Sequence, residues 1–402
     1  MDLNLMRELS VSTDSKIVLL VLDGVGGLPM DPFDRTELEA AGTPNLDALA
    51  ARSDLGLSRP IAAGVSPGSG PGHLALFGYD PLRYEVGRGV LSALGVGFEL
   101  GENDLAARIN FATKDESGRI SDRRAGRIPT EEAAKLVDLL SENLQLDGAE
   151  IFLVHEKEHR AVAVFRGSGL SDALTDSDPQ RVGLEPLPVE PINGNAGAEK
   201  SAELANAFIK QADDILADHH PANTVLLRGF GMHPALPKFG EIYKLRAAAI
   251  AGYPMYKGLA RLVGMEVLKE GEGIASEFQT LEENWDSYDF FFVHVKATDA
   301  AGEDGDFERK AAVIEEVDAL IPDLLGLDPA VLAVTGDHAT PAKMKSHSWH
   351  AVPFLLHSEY TLPTTRSFGE RACAGGSLGV FQAAEIMGLL MGHALKLNRY
   401  GA

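Results

Sequence analysis

Residues 16–24 read KIVLLVLDG. Six consecutive apolar residues, most of them branched, stop abruptly at Asp23 and Gly24. A half-exposed strand would alternate apolar and polar. A short run apolar on both faces is what a parallel strand needs when helices cover both sides of its sheet. The pattern recurs in DFFFVHVKATD (289–299) and AVLAVTGDH (330–338), which stop at Asp299 and at Asp337-His338. Between such runs lie helical patterns. In GTPNLDALAAR (42–52), Thr43 and Pro44 suit a helix start and Leu46 and Leu49 share a face. In DFERKAAVIEEVDALIPDLL, Val313, Ile314, Val317, Leu320 and Ile321 fall on one side. Strand–helix alternation predicts an α/β fold with a mostly parallel sheet flanked by helices.

In open parallel sheets, ligands bind beyond the carboxyl ends of the strands. If the three runs are neighbours, Asp23, Asp299, Asp337 and His338 converge. TDAAGEDGD (298–306) adds Glu303, and DHATPAKMKSHSWH (337–350) adds His347 and His350. Each residue alone is more often a cap or a surface group. Together, mixed carboxylate and imidazole donors predict a site for zinc or manganese rather than calcium, which takes oxygen ligands.

GVSPGSGPGHLALFGYD (64–80) places Ser66 and Ser69 among helix breakers, ahead of an apolar segment predicted as helix from His73 to Phe77. The run is either a surface turn or a nucleophile held at a helix start. His73 either supports that chemistry or packs. From about residue 105 the texture changes: strand and hairpin over 105–129, a helix in PTEEAAKLVDLLSENL, two strands over 151–169, a Pro- and Gly-rich loop to about 200, then helix and strand. This predicts a core of 1–105 and 236–402 and an inserted α+β domain at 106–235.

Composition excludes several classes. The chain has 402 residues, 45% of them hydrophobic, with a formal net charge of −23 and a single cysteine, Cys373; its mean hydropathy is −0.04. The acidic balance argues against nucleic-acid and anionic-membrane surfaces. No apolar run reaches the roughly 18 residues of a membrane span. MDLNLMRELSVSTDSK has no basic-then-apolar leader, and one cysteine forms no intrachain disulfide, so a cytoplasmic location is expected.

VLDGVGG, GTPNLDALA, PGSGPGHLALFGYDP, DRRAGRI, HEKEHRAV, TDAAGEDGDF and TGDHATP occur in the order seen in 2,3-bisphosphoglycerate-independent phosphoglycerate mutases of the archaeal type. Nearly the whole chain resembles that family, which belongs to the alkaline phosphatase superfamily. The resemblance implies an alkaline-phosphatase-like core with a smaller inserted α+β domain that grips the substrate. It implies two divalent ions, usually manganese, with magnesium or zinc also accommodated, and a phosphoserine intermediate. By position Ser69, not Ser66, is the nucleophile. Asp23, Ser69, Asp337 and His338 would hold one ion; Asp299, residue 303 and His347 the other. The family generally has histidine where this chain has Glu303, a harder donor that favours manganese or magnesium. His350 is a candidate substitute ligand.

A phosphate-ester substrate needs cations. The middle region supplies Arg123, Arg124, Arg127, His159, Arg160 and Arg228, whose forks suit phosphate and carboxylate. Asp122 could orient an arginine, and Lys257 could contact phosphate from the core side. The expected activity interconverts 3-phosphoglycerate and 2-phosphoglycerate. A metal-dependent phosphatase or phosphotransferase on the same scaffold is the alternative, and a non-catalytic relative a third reading.

Overall fold

The computed structural model describes residues 2–32 and 34–401. The chain forms two compact units: Met1–Glu85 with Leu236–Ala402, and Val86–Ala235.

In the first unit, Ile17–Leu22 lies inside an eight-stranded sheet. It pairs in parallel with Phe290–Val295 on one side and Val331–Thr335 on the other. The strands run in the order Gly379–Gln382, Asp54–Arg59, Val352–Ser358, Val331–Thr335, Ile17–Leu22, Phe290–Val295, Ala247–Ala251, Glu266–Val267. Every pairing is parallel except the two made by Val352–Ser358. The sheet is therefore mostly parallel, as the apolar runs predict. All residues of the three acid-terminated strands are buried. On one face Leu46, Leu49, Ile314, Val317, Ile321 and Leu324 pack against Val18, Leu20, Val293 and Leu332. Of the inward residues predicted on the long helix, Val313 and Leu320 are only partly buried against this core.

The helix predicted from His73 begins earlier, spanning Ser69–Leu76 with Gly68 as its N-cap. The physical reason lies in its first turn. The first amides of a helix have no intrahelical partner, so Pro71 loses nothing there. Gly72 is required: a Cβ at that position would stand 2.6 Å from the Asp337 carbonyl oxygen.

The second unit is built on antiparallel strands Asp104–Lys114, Ile120–Asp122, Glu150–Lys157, Arg160–Arg166 and Thr224–Met232. Helices Thr130–Asn143 and Ala196–Leu216 supply Ala133, Leu136, Val137, Leu140, Leu204 and Phe208 to its own core. Helix Arg88–Gly95, upstream of the change in sequence texture at 105, packs on the strands of this unit. No described helix is long and apolar enough to cross a membrane.

Candidate active site

Parallel pairing of three strands in register brings their carboxyl ends together. The Asp23 amide donates to the Val295 carbonyl at 3.0 Å, which fixes Asp23 beside the turn leading to Asp299. Gly24 follows with φ +62°, and a Cβ there would meet Thr340 Oγ1 at 2.5 Å and Asp299 Oδ1 at 2.7 Å. Only glycine permits so close an approach of the two loops.

Among the described residues, two groups of side chains have donor atoms within 4.8 Å of one another: Asp23, Asp337 and His338, and Asp299, His338 and His347. His338 is common to both. Its Nε2 lies 3.3 Å from Asp23 Oδ1, 3.2 Å from Asp337 Oδ2 and 3.1 Å from Ser69 Oγ. Hydrogen-bond accounting places a proton on its Nδ1. The single Thr340 hydroxyl proton goes to the Asp299 carboxylate at 2.6 Å, so Thr340 Oγ1 accepts from His338 Nδ1 at 3.0 Å. Nε2 is therefore the nitrogen that faces Asp23, Asp337 and Ser69. His347 is set the same way. Its Nδ1 can only donate to the Pro67 carbonyl, 2.9 Å away, which leaves Nε2 facing Asp299 at 3.7 Å and Glu303 at 3.8 Å. A backbone carbonyl or hydroxyl behind each ring is the arrangement that orients histidine as a metal ligand.

The donor set fits divalent ions. Asp23, Asp337 and His338 are fully buried, and Asp23 Oδ1 accepts no hydrogen bond although no solvent reaches it. Burial pushes the Asp23 carboxyl up, yet Lys296, His294 and His338 hold it well below the usual carboxylate range. Glu303 stands apart, with a side chain 54% exposed. Two ligands about 2.1 Å from one ion at a tetrahedral angle stand about 3.4 Å apart, so its separation from His347 is compatible with a shared ion. His350 turns away, with Nδ1 on Ser348 Oγ at 3.0 Å and its ring against Trp349.

Ser69 and Ser66 part company: Ser66 is exposed, whereas Ser69 opens the helix and reaches His338. His73, one turn on, is fully buried. Its Nδ1 lies 2.8 Å from the Ser69 carbonyl oxygen and 3.1 Å from Asp337 Oδ2. Burial alone would lower its pKa, but the Asp337 charge keeps it raised. It thus ties the serine's backbone to a donor carboxylate.

Three residues that contact the Asp23 carboxylate escaped the sequence reading, as did Thr340. Lys296 Nζ donates to Asp23 and Asp299. Tyr256 donates its hydroxyl proton to Asp23, and His294 Nε2 lies 3.2 Å from the same carboxylate. Lys296 stands three residues before Asp299, a helical pairing distance that could have flagged it. Tyr256 and His294 sit inside apolar segments without a periodic signal. Lys257 instead pairs with Glu270 at 2.8 Å.

The second unit carries a pocket of about 110 Å³ lined by Arg88, Arg108, Asn110, Arg123, Arg124, His159, Arg160 and Arg228. Strand register builds it. Arg108 stands opposite Arg228, and Asn110 opposite Arg160. Like charges directly opposite across a sheet are destabilising unless an anion joins them. Asp178 receives a two-pronged contact from Arg123 at 2.8 and 2.7 Å and lies 3.3 Å from Arg228. Arg88, Arg124 and Arg160 make no ion pair among the described residues, which leaves net positive charge. Burial and the arginines push His159 down to about 4, so it is neutral at pH 7. Arg127 does not line the pocket, nor does Asp122, whose carboxylate accepts the Arg124 and Gly126 amides and shapes the turn. Arg88 and Arg108 went unread, although Arg108 and Asn110 alternate with buried Ile109 and Phe111.

Comparison with known proteins accords with this chemistry. Residues 50–223 match the family model described as 2,3-bisphosphoglycerate-independent phosphoglycerate mutase. A Thermus thermophilus protein described as a probable enzyme of that kind is 54% identical over 402 residues, 99% of this chain and 98% of the relative. A Thermotoga petrophila protein of the same description is 51% identical over 400 residues, with the same coverage. Among solved structures, the cofactor-independent phosphoglycerate mutase from Thermoplasma acidophilum is 35% identical, with TM-score 0.72, over 94% of this chain and 100% of the other. A Pyrococcus horikoshii protein is 32% identical with TM-score 0.83, over 96% and 99%. With more than half its residues identical to a curated member over almost the full length of both, the chain belongs to the 2,3-bisphosphoglycerate-independent phosphoglycerate mutases, which are isomerases.

Proposed function

We propose that the protein interconverts 3-phosphoglycerate and 2-phosphoglycerate through a phosphoserine on Ser69, with two divalent ions, manganese by preference. The observation that carries this reading is Ser69 Oγ, 3.1 Å from the Nε2 of a histidine shared by both donor groups. Asp23, Asp337, His338 and Ser69 would hold one ion, and Asp299, His347 and Glu303 the other. Bound there, the ions supply Lewis acidity that stabilises the serine alkoxide and polarises the phosphoryl oxygens.

The chain's own residues do the rest. The Ser69–phosphorus bond forms as the phosphorus–oxygen bond to substrate breaks, and the proton that Ser69 gives up ends on the leaving oxygen, which yields glycerate. The reverse step at the neighbouring hydroxyl gives the isomer. Ser69 opens a helix, so free amides and the helix dipole face the phosphoryl group. The arginine pocket supports binding of a small anionic ester, with neutral His159 as a hydrogen-bonding partner for its hydroxyls. Arg123, Arg124, Arg160 and Arg228 from the sequence reading act there with Arg88 and Arg108; Asp122 orders the turn that carries Arg124. Lys257, also read as a phosphate contact, is held by Glu270 and would have to leave it to reach a phosphate.

An enolase-coupled assay with 3-phosphoglycerate and Mn²⁺, without added 2,3-bisphosphoglycerate, tests the proposal. Formation of 2-phosphoglycerate is the expected result. Release of inorganic phosphate without isomer would overturn it in favour of a phosphatase.

A further inference from the structure

Asp23, Asp299 and Asp337 bring three carboxylates into one site, each at most 1% exposed. Buried charges persist only when countered. Lys296 is the one lysine whose ammonium touches these donors among the described residues. Its Nζ lies 3.2 Å from Asp23 Oδ2 and 3.1 Å from Tyr256 Oη, and it also donates to Asp299 Oδ2. Asp23 belongs to one donor group and Asp299 to the other, so a single cation bridges both. Its side chain remains 30% exposed, so the lysine is not sealed into the core as the carboxylates are. Lys296 is the N-cap of helix Ala297–Asp304, directly after the buried strand Phe290–Val295, and so stands at the carboxyl end of the sheet with the acids.

We propose that Lys296 is a built-in counter-cation that holds Asp23 and Asp299 together in the metal-free chain and competes with the divalent ions for those carboxylates. The inference rests on the metal reading above. A like charge within a few ångströms opposes ion binding, and loading requires the ammonium to release at least one carboxylate. Lys296 therefore sets metal affinity, and keeps the unloaded site folded.

The experiment is calorimetric titration of Mn²⁺ into the chelator-stripped full chain, with melting curves for metal-free and loaded protein. For Lys296→Met the expected Mn²⁺ affinity is higher by about tenfold or more. Metal-free Lys296→Met melts lower by about 5 °C or more, because two buried carboxylates lose their counter-ion. At saturating Mn²⁺ its melting point matches the parent. Lys296→Arg, which keeps the charge, returns both values towards the parent. Should Lys296→Met fail to fold without metal, the double variant Lys296→Met/Asp299→Asn is expected to recover metal-free folding, because it removes a carboxylate with the lysine. Unchanged or weaker Mn²⁺ affinity, an unchanged metal-free melting point, or no recovery in the double variant overturns the inference. If the parent binds no Mn²⁺, the metal reading itself fails and takes this one with it; if the parent binds and Lys296→Met binds no tighter, only the inference about Lys296 fails.

Discussion

At the residue scale, the site depends on protons and charges held in fixed places. His338 and His347 each give one ring nitrogen to the protein, and the other faces the carboxylates. Ser69 lies against the first of these open nitrogens. Ser69→Ala is expected to lower mutase turnover by at least about a thousandfold in the enolase-coupled assay, with the melting point of the metal-free chain unchanged. Retained turnover would exclude a phosphoserine route. Away from this centre, Glu277 is buried on helix Ile274–Glu283. Burial, then Glu270 and Glu316, raise its pKa from 4.5 to about 8. Below pH 4.5 both folded and unfolded chains keep this proton. Between 4.5 and 8 only the folded chain keeps it, so stability falls as pH rises and levels off above 8. Glu277→Gln removes the penalty. Its melting point is expected to exceed the parent's at pH 9 by an amount reflecting a few kcal/mol, roughly, and to match it near pH 5. Equal pH profiles would exclude Glu277 as the source. The carboxylates that end apolar strands were legible in the sequence because the break in hydrophobicity marks them. Lys296, Tyr256 and His294 were not, because a polar residue whose partners come from other elements leaves no local pattern.

At the element scale, the sheet presents the acids and one helix locks the loops that carry them. Lys310, on helix Phe307–Gly326, is fully buried. Its Nζ donates to the Gly26 carbonyl at 3.1 Å and the Thr340 carbonyl at 2.9 Å. One loop follows Asp23 and the other carries His338, so a single ammonium ties both together. Glu37, 3.8 Å away, balances the charge and accepts the Ala342 amide at 2.7 Å. Lys310→Met leaves Glu37 buried and uncompensated. The expected loss is about 3–5 kcal/mol in urea unfolding, with weaker Mn²⁺ binding. A loss below about 1 kcal/mol would mean the loops hold each other without the lysine. A double variant with Glu37→Gln should recover part of the stability. The parallel strands were readable because burial on both faces leaves a continuous apolar run. Strand Val352–Ser358, which makes the two antiparallel pairings, carries Pro353 and follows directly on the histidine-rich loop, so nothing in its pattern separates it from that loop. The early start of the Ser69 helix was hidden for a related reason: its first turn tolerates the very residues that end a helix elsewhere.

At the scale of the whole molecule, the two units have separate cores, and their chemistry divides with them. The carboxylate and imidazole donors all lie in Met1–Glu85 and Leu236–Ala402; the pocket arginines all lie in Val86–Ala235. The change in texture near residue 105 made a second unit legible. Helix Arg88–Gly95 escaped because an apolar helix carries no mark of which core it joins. This division allows a test with no mutation. The protein has two tryptophans, Trp285 and Trp349, and both belong to the metal-donor unit. Tryptophan fluorescence therefore follows the unfolding of that unit alone, while far-ultraviolet circular dichroism follows both. A ligand that binds only the folded state stabilises by RT ln(1 + [L]/Kd), about 2.7 kcal/mol at one hundred times Kd. Because the donors proposed for Mn²⁺ sit in one unit, Mn²⁺ should raise the fluorescence midpoint by several degrees. The part of the dichroism transition that comes from Val86–Ala235 should stay in place, splitting the two curves. Equal shifts in both probes would show that the units unfold as one cooperative system, with the energy of metal binding shared across the chain. No shift in either would show that the donors take up no ion.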